Sequence, residues 1–241
     1  MGGALLDFGP WVDDAVRGIG TTVLVTILGA AGAALIALVF GLLARLEGRP
    51  PRFVARVFIE FFRGTSLLVQ LWWLFFVLPQ FGFVMAPLTV GILAFSLNFG
   101  AYGAEVVRGA INAVPRAQWE ATVALNMTPY GRMRRVILPQ AVVGMMPPFT
   151  NLLIQLLKST PLVFTITIVD LTAVTNAYRS AEGNTGFIFT LSLVAYFVLA
   201  YALTLAMNAL ERRAKAAIGQ REPRRKLFAP PFSRPVKGEL I

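Results

Sequence analysis

Hydrophobic residues come in long uninterrupted blocks with no charge inside them: Gly18–Ala44, Gly64–Ala104, Ala141–Leu157 and Phe187–Leu210. A helix rises about 1.5 Å per residue, so roughly 20 residues cross a hydrocarbon core of about 30 Å. Lipid offers backbone groups no hydrogen-bond partner, so such blocks must be helical. The second block is too long for one crossing, and Pro79-Gln80-Phe81-Gly82 and Pro87 interrupt it, so it reads as a hairpin. The pattern predicts an all-α membrane protein with about five spans, near Thr21–Leu43, Phe53–Leu78, Pro87–Val107, Leu138–Leu157 and Phe187–Leu210. Between them, Pro161–Thr172 is apolar around Asp170 and predicts a short re-entrant or interfacial helix, while Asn176–Gly186 reads as a polar turn.

Three units follow from this pattern: an outer-face segment 1–17, a membrane domain 18–211 with a cytoplasmic loop 109–137, and a basic tail 212–241. Trp11 among acids suggests that Asp7–Arg17 lies along the outer interface. The start lacks a basic region and a small-residue cleavage site, which predicts that the first span is retained.

Charge then sets orientation. Arg45, Arg49, Arg52 and Arg56 follow the first span, and Arg108, Arg116, Arg132, Arg134 and Arg135 follow the third. The intervening turn near Pro79 has no basic residue, the later loop has only Arg179, and the tail from Glu211 carries nine Lys and Arg. Basic loops stay cytoplasmic, so the N-terminus is expected outside and the C-terminus inside the cytoplasmic membrane. The same bias accounts for the net charge of +10 through anionic lipid headgroups rather than nucleic acid, because the basic residues sit at span ends. With no Cys and no His, this chain by itself offers no thiolate nucleophile, imidazole base or His/Cys metal site.

The loop between the third and fourth spans is more ordered than a reversal requires. Ala117–Leu125 is a good helix former, with Trp119, Val123 and Leu125 available for packing. Asn126 tolerates the left-handed conformation that closes a helix. Thr128-Pro129 restarts it with a hydroxyl cap and a proline at the first helical position. Pro139 should bend the chain where it re-enters lipid.

Glu120-Ala121, Asn126, Val136 and Leu138-Pro139 fall in the register of the cytoplasmic loop of bacterial ABC-transporter permease subunits: Glu-Ala-Ala, three residues, Gly, nine residues, Ile, one residue, Leu-Pro. Thr122, Asn126 and Val136 depart from it, and Thr122 bears on how tightly the helix packs. Phe61-Phe62-Arg63-Gly64-Thr65-Ser66-Leu67-Leu68-Val69-Gln70 is similar to the second-span signature of the polar amino-acid uptake branch. Gly100-Ala101-Tyr102-Gly103-Ala104-Glu105-Val106-Val107-Arg108-Gly109 and Leu157-Lys158-Ser159-Thr160-Pro161-Leu162 extend the likeness. Val-Pro-Arg-Ala-Gln-Trp-Glu-Ala further resembles ectoine/hydroxyectoine permeases.

The resemblance implies the type I importer fold and a sister or identical permease subunit. It also implies a cytoplasmic ATPase dimer, carrying ATP and Mg, and an external solute-binding protein. On this reading Gln118, Glu120, Ala121, Asn126, Leu138 and Pro139 form the ATPase-coupling loop. The chain holds no cofactor of its own and lacks the G-x-x-x-x-G-K-[ST] phosphate loop, so it cannot be its own motor.

Other polar residues keep two readings. Glu105 and Arg108, and likewise Arg56, Glu60 and Arg63, have helical spacing for structural ion pairs and could alternatively touch solute. Asn98, Tyr102, Asn151 and Gln155 either bond between helices or line a solute pathway. Lys158 would cost about 2.5–3.5 kcal/mol at a helix centre, so it either snorkels to the outer interface or belongs, with Thr160, to a gate. A motor-independent channel or secondary transporter would usually show an intramembrane acid or two related halves, and no confident span carries a central acid.

Overall fold

The computed structural model describes residues 9–46 and 48–217 and is all-helical. Most of the basic tail therefore lies outside the described residues. Helix α1 (Gly9–Leu43) is continuous over 35 residues, so Trp11–Arg17 forms its first turns rather than a separate interfacial segment. Its glycines make this possible alongside α4 (Pro87–Asn112). A Cβ at Gly32 would fall 2.1 Å from Ser96 Oγ, and one at Gly41 would fall 2.7 Å from Val107 Cβ. Small residues bring the two backbones close, which is how helices associate where lipid is as apolar as leucine. Val25, Ala33, Phe95 and Phe99 fill this contact towards one end, and Ala37, Val107 and Ile111 towards the other.

Among the described residues, four helices are long and apolar enough to cross a membrane: Trp11–Leu43, Pro87–Asn112, Pro129–Ile166 and Thr185–Ala216. The expected straight span Phe53–Leu78 is instead broken. Helix α2 (Arg49–Gly64) and the segment Leu67–Phe81, which begins as α3 (Leu67–Trp72), are bent by 101°. The cause is local: Thr65 and Ser66 are both extended. The released carbonyls are taken up by side chains, as buried polar groups require. Asn98 and Gln70 both donate to Phe62 O at 3.0 Å, and the Tyr102 hydroxyl donates to Arg63 O at 3.3 Å.

After α4 come α5 (Arg116–Ala124), α6 (Pro129–Arg132) and α7 (Leu138–Ser159). A wide π turn, Met133–Ile137, precedes Pro139, where a ring replaces an amide, and stands in place of the expected bend. A 3-10 stretch, Thr160–Ile166, follows α7, and then α8 (Leu171–Glu182). Thus Asn176–Glu182, expected as a turn, is helical. Asp170 is its cap, with Oδ1 accepting Ala173 N–H at 2.9 Å. Helix α9 (Thr185–Ala217) leaves Leu193, Phe197 and Tyr201 exposed.

Thr22 Oγ1 accepts Leu171 N–H at 3.3 Å, so the N-terminal half of α1 meets α8. The Arg45 guanidinium lies 5.5 Å from the Trp119 ring and bonds Asn112, so the C-terminal end of α1 meets the α5 loop. We call these the far end and the loop end of the bundle.

Candidate functional site

Two features stand out, a docking face at the loop end and a polar cleft above it. Helix α5 is anchored by Trp119, which packs against the cluster of Ile111, Val114, Ile137 and Ala141. Thr122 is buried, its hydroxyl donating to Trp119 O at 2.7 Å. Gln140 of α7 donates to Gln118 Oε1 at 3.2 Å, tying the two helices. Asn126 takes φ 52°, Met127 N–H reaches Thr122 O at 3.1 Å and Asn126 N–H reaches Val123 O at 2.9 Å. This paired closure ends α5 abruptly. Thr128 Oγ1 then accepts Gly131 N–H at 3.2 Å, capping the next helix.

With the helix fixed from beneath, its other face is presented outward. Glu120, Ala121 and Asn126 are exposed, and Glu120 has no hydrogen bond or ion pair among the described residues. Val123 and Leu125, available for packing, are 55% and 74% exposed. Leu138 is half-buried against the Trp119 cluster, and Pro139 is exposed beside it. The result is a rigid mixed apolar and acidic ridge, suited to a partner's groove.

The cleft occupies about 580 Å³ at the bend of the second pass. Asn98 and Tyr102 of α4 line it with Gln155 and Lys158 of α7, together with Thr65, Ser66 and Leu67 from the break itself. Lys158 is exposed to this space and forms no ion pair among the described residues. Asn98 spends its amide on Phe62, leaving its carbonyl oxygen as an acceptor. Two candidates lie elsewhere. Asn151 is exposed but outside the lining, and Thr160 is fully buried with its hydroxyl on Leu157 O at 2.8 Å. Thr65 and Ser66 were legible only as part of the Phe61–Gln70 segment; without the bend nothing distinguishes them from other hydroxyls.

The charged residues sit below the cleft. Arg108 Nη2 meets Glu105 Oε2 at 2.6 Å, and Arg63 meets Glu60 at 3.9 Å with its guanidinium 5.5 Å from the Tyr102 ring. Arg56, expected to join Glu60, forms no ion pair among the described residues. At the far end sits a group that sequence reasoning did not place in any site. Asp170 is fully buried, and Tyr196 donates its hydroxyl to Asp170 Oδ2 at 3.2 Å. Burial raises the Asp170 pKa, while hydrogen bonds from Ala173, Thr172 and Tyr196 pull it back.

Apolar helices around a polar cleft, with a braced ridge at one end, define a multi-pass membrane permease. The model of the family described as "binding-protein-dependent transport system inner membrane component" matches residues 33–216. This chain belongs to that family and is an inner-membrane protein with the fold of the type I importer permeases. It is similar to a probable amino-acid ABC transporter permease protein of Sinorhizobium fredii, with 41% identity over 86% of this chain and 89% of that one. The L-cystine transport system permease protein of Bacillus subtilis is 36% identical over 81% and 84% of the two chains. Among solved structures, an amino acid ABC transporter crystallised with histidines superposes with a TM-score of 0.81, at 32% identity, covering 88% of this chain and 100% of that one. A methionine ABC transporter, at 21% identity and a TM-score of 0.73 over 86% and 98% of the chains, shares the fold.

Proposed function

We propose that this chain is the membrane subunit of an ATP-driven importer for a small polar or zwitterionic solute, an amino acid or an ectoine-like compound. The observation that carries the reading is the cleft. An unpaired ammonium at Lys158 faces the same space as the Asn98 carbonyl oxygen, the Tyr102 hydroxyl and the Gln155 amide. A carboxylate fits the first and an ammonium the acceptors, so both ends of a zwitterion find complementary groups. The amino-acid permeases among its relatives support the amino-acid half of this reading.

The ridge around Glu120 supplies the motor contact. A separate cytoplasmic ATPase dimer with ATP and Mg docks there, a sister or identical permease completes the pathway, and an external binding protein delivers solute. In this orientation the loop end and the C-terminus are cytoplasmic and the N-terminus is outside, a reading that the Arg and Lys distribution supports.

The test is uptake by proteoliposomes holding the permease with its ATPase and binding protein, offered a panel of amino acids and compatible solutes. Uptake of a zwitterionic solute that needs internal ATP and ignores ionophores supports the proposal. Uptake driven by an ion gradient without ATP would replace it with secondary transport.

A further inference from the structure

The charged residues of α2 occupy one side of the helix. At 100° per residue, Arg49, Arg52, Arg56, Glu60 and Arg63 fall within a sector of about 80°. The packed face lies on one side of that sector: Ala55 and Ile59 are buried, and the Phe58 ring stacks on Phe40 with centroids 3.8 Å apart. On the other side, Phe53, Val54, Val57 and Phe61 are all more than half exposed. In the charged sector Arg49, Arg56 and Glu60 are exposed and Arg52 and Arg63 are half-buried. A membrane helix whose surface divides into packed, apolar-exposed and charged sectors has two different surroundings. The apolar sector suits lipid. The charged one does not.

Depth makes the point sharper. Lipid headgroups would satisfy Arg49 and Arg52 at the loop end, but Arg63 lies 14 residues beyond Arg49, roughly 21 Å along the axis. There Phe62 O is held by Asn98, near the middle of the 26-residue α4. Charges at that depth face a water-filled space or a partner rather than hydrocarbon. The sector is also continuous with the cleft, because Arg63 lies against Tyr102, which lines it. Glu105 and Arg108 continue the polar wall down α4 towards the loop end.

We propose that the charged sector of α2 lines a water-filled vestibule running from the cleft to the loop end. Its excess of guanidinium groups, four against the single carboxylate of Glu60, favours anionic and zwitterionic solutes over cationic ones on the way through. The proposal rests on the importer reading and adds the inner half of the route and its charge preference.

Cysteine labelling of the assembled transporter tests it directly, since the chain has no native cysteine. Arg56→Cys and Glu60→Cys should react with hydrophilic methanethiosulfonates added from the loop side of membrane vesicles, while Phe53→Cys and Val57→Cys should not. Using two positions guards against one variant failing to assemble. At either position the anionic reagent should react faster than the cationic one, relative to a free thiol, by on the order of tenfold at low salt. The ratio should shrink as salt rises. Protection of both charged positions in the assembled complex, as a protein contact would give, overturns the vestibule. Equal rates for the two reagents overturn the charge preference. Uptake by the unsubstituted complex reads the importer function separately, so the two failures are distinguishable.

Discussion

The bend in the second pass depends on one carbonyl. Phe62 O would ordinarily accept the amide of residue 66, but the extended backbone at Thr65 and Ser66 removes that donor. Two side-chain amides replace it, Gln70 and Asn98, each at 3.0 Å, and they are 8% and 5% exposed. Asn98→Leu removes one donor while the other stays. Interhelical hydrogen bonds in membranes average about 0.6 kcal/mol, so the loss should be of that order. Gln70→Met costs more, about 1–2 kcal/mol, because the same amide also serves Thr65 Oγ1 at 2.7 Å. The double variant leaves the Phe62 carbonyl without either amide donor and should lose about 1–3 kcal/mol beyond the sum. Unfolding of the purified chain in mixed micelles, run as a double-mutant cycle, reads this coupling. Losses that add within about 0.5 kcal/mol would show that the bend is held by something else.

Further predictions follow from the cleft, the far end and the orientation. Lys158→Gln and Lys158→Arg should both reduce uptake at normal expression, since a compact ammonium differs from a guanidinium fork; normal uptake by both would leave Lys158 as a snorkelling residue. A cysteine at Gly82 should react with an impermeant reagent in intact cells and one at Ala117 should not; the reverse would invert the orientation. The raised pKa of buried Asp170 means that its contribution is fully present below the ordinary carboxylate value of 3.8 and is lost as pH rises through the folded value. Asp170→Asn, which keeps an acceptor for Ala173 N–H, should flatten that part of the stability profile; an unchanged slope would assign it to another group.

What could be read along the chain was what neighbouring residues decide. Asn126 closing a helix and Thr128 opening the next involve contacts within five residues, and each took the expected conformation, while at Pro139 a π turn stands in place of the expected bend. The break at Gly64 was not legible because two of the side chains that take up its carbonyls, Asn98 and Tyr102, lie more than thirty residues away. Helix α8 was missed although its cap is local, Ala173 N–H on Asp170 Oδ1; the polar residues after Asn176 read as a turn, and the bond from Tyr196 that holds Asp170 comes from 26 residues away. Val123 and Leu125 read along the chain as available for packing, without saying against what; the structure packs Trp119 against the core and leaves them outward. Their exposure turns the loop from a connector into a surface.

That surface carries the central claim, that the ridge around Glu120 transmits the work of a separate motor. The most direct measurement compares ATP hydrolysis with solute uptake in the reconstituted complex carrying Glu120→Arg. Because Glu120 is exposed and unpaired among the described residues, the substitution should leave insertion and folding intact. The account predicts that ATP turnover persists while uptake falls at least tenfold, an effect of about 1.4 kcal/mol or more on the coupled step. Uptake and hydrolysis that stay in their wild-type ratio would contradict it and leave the loop a connector.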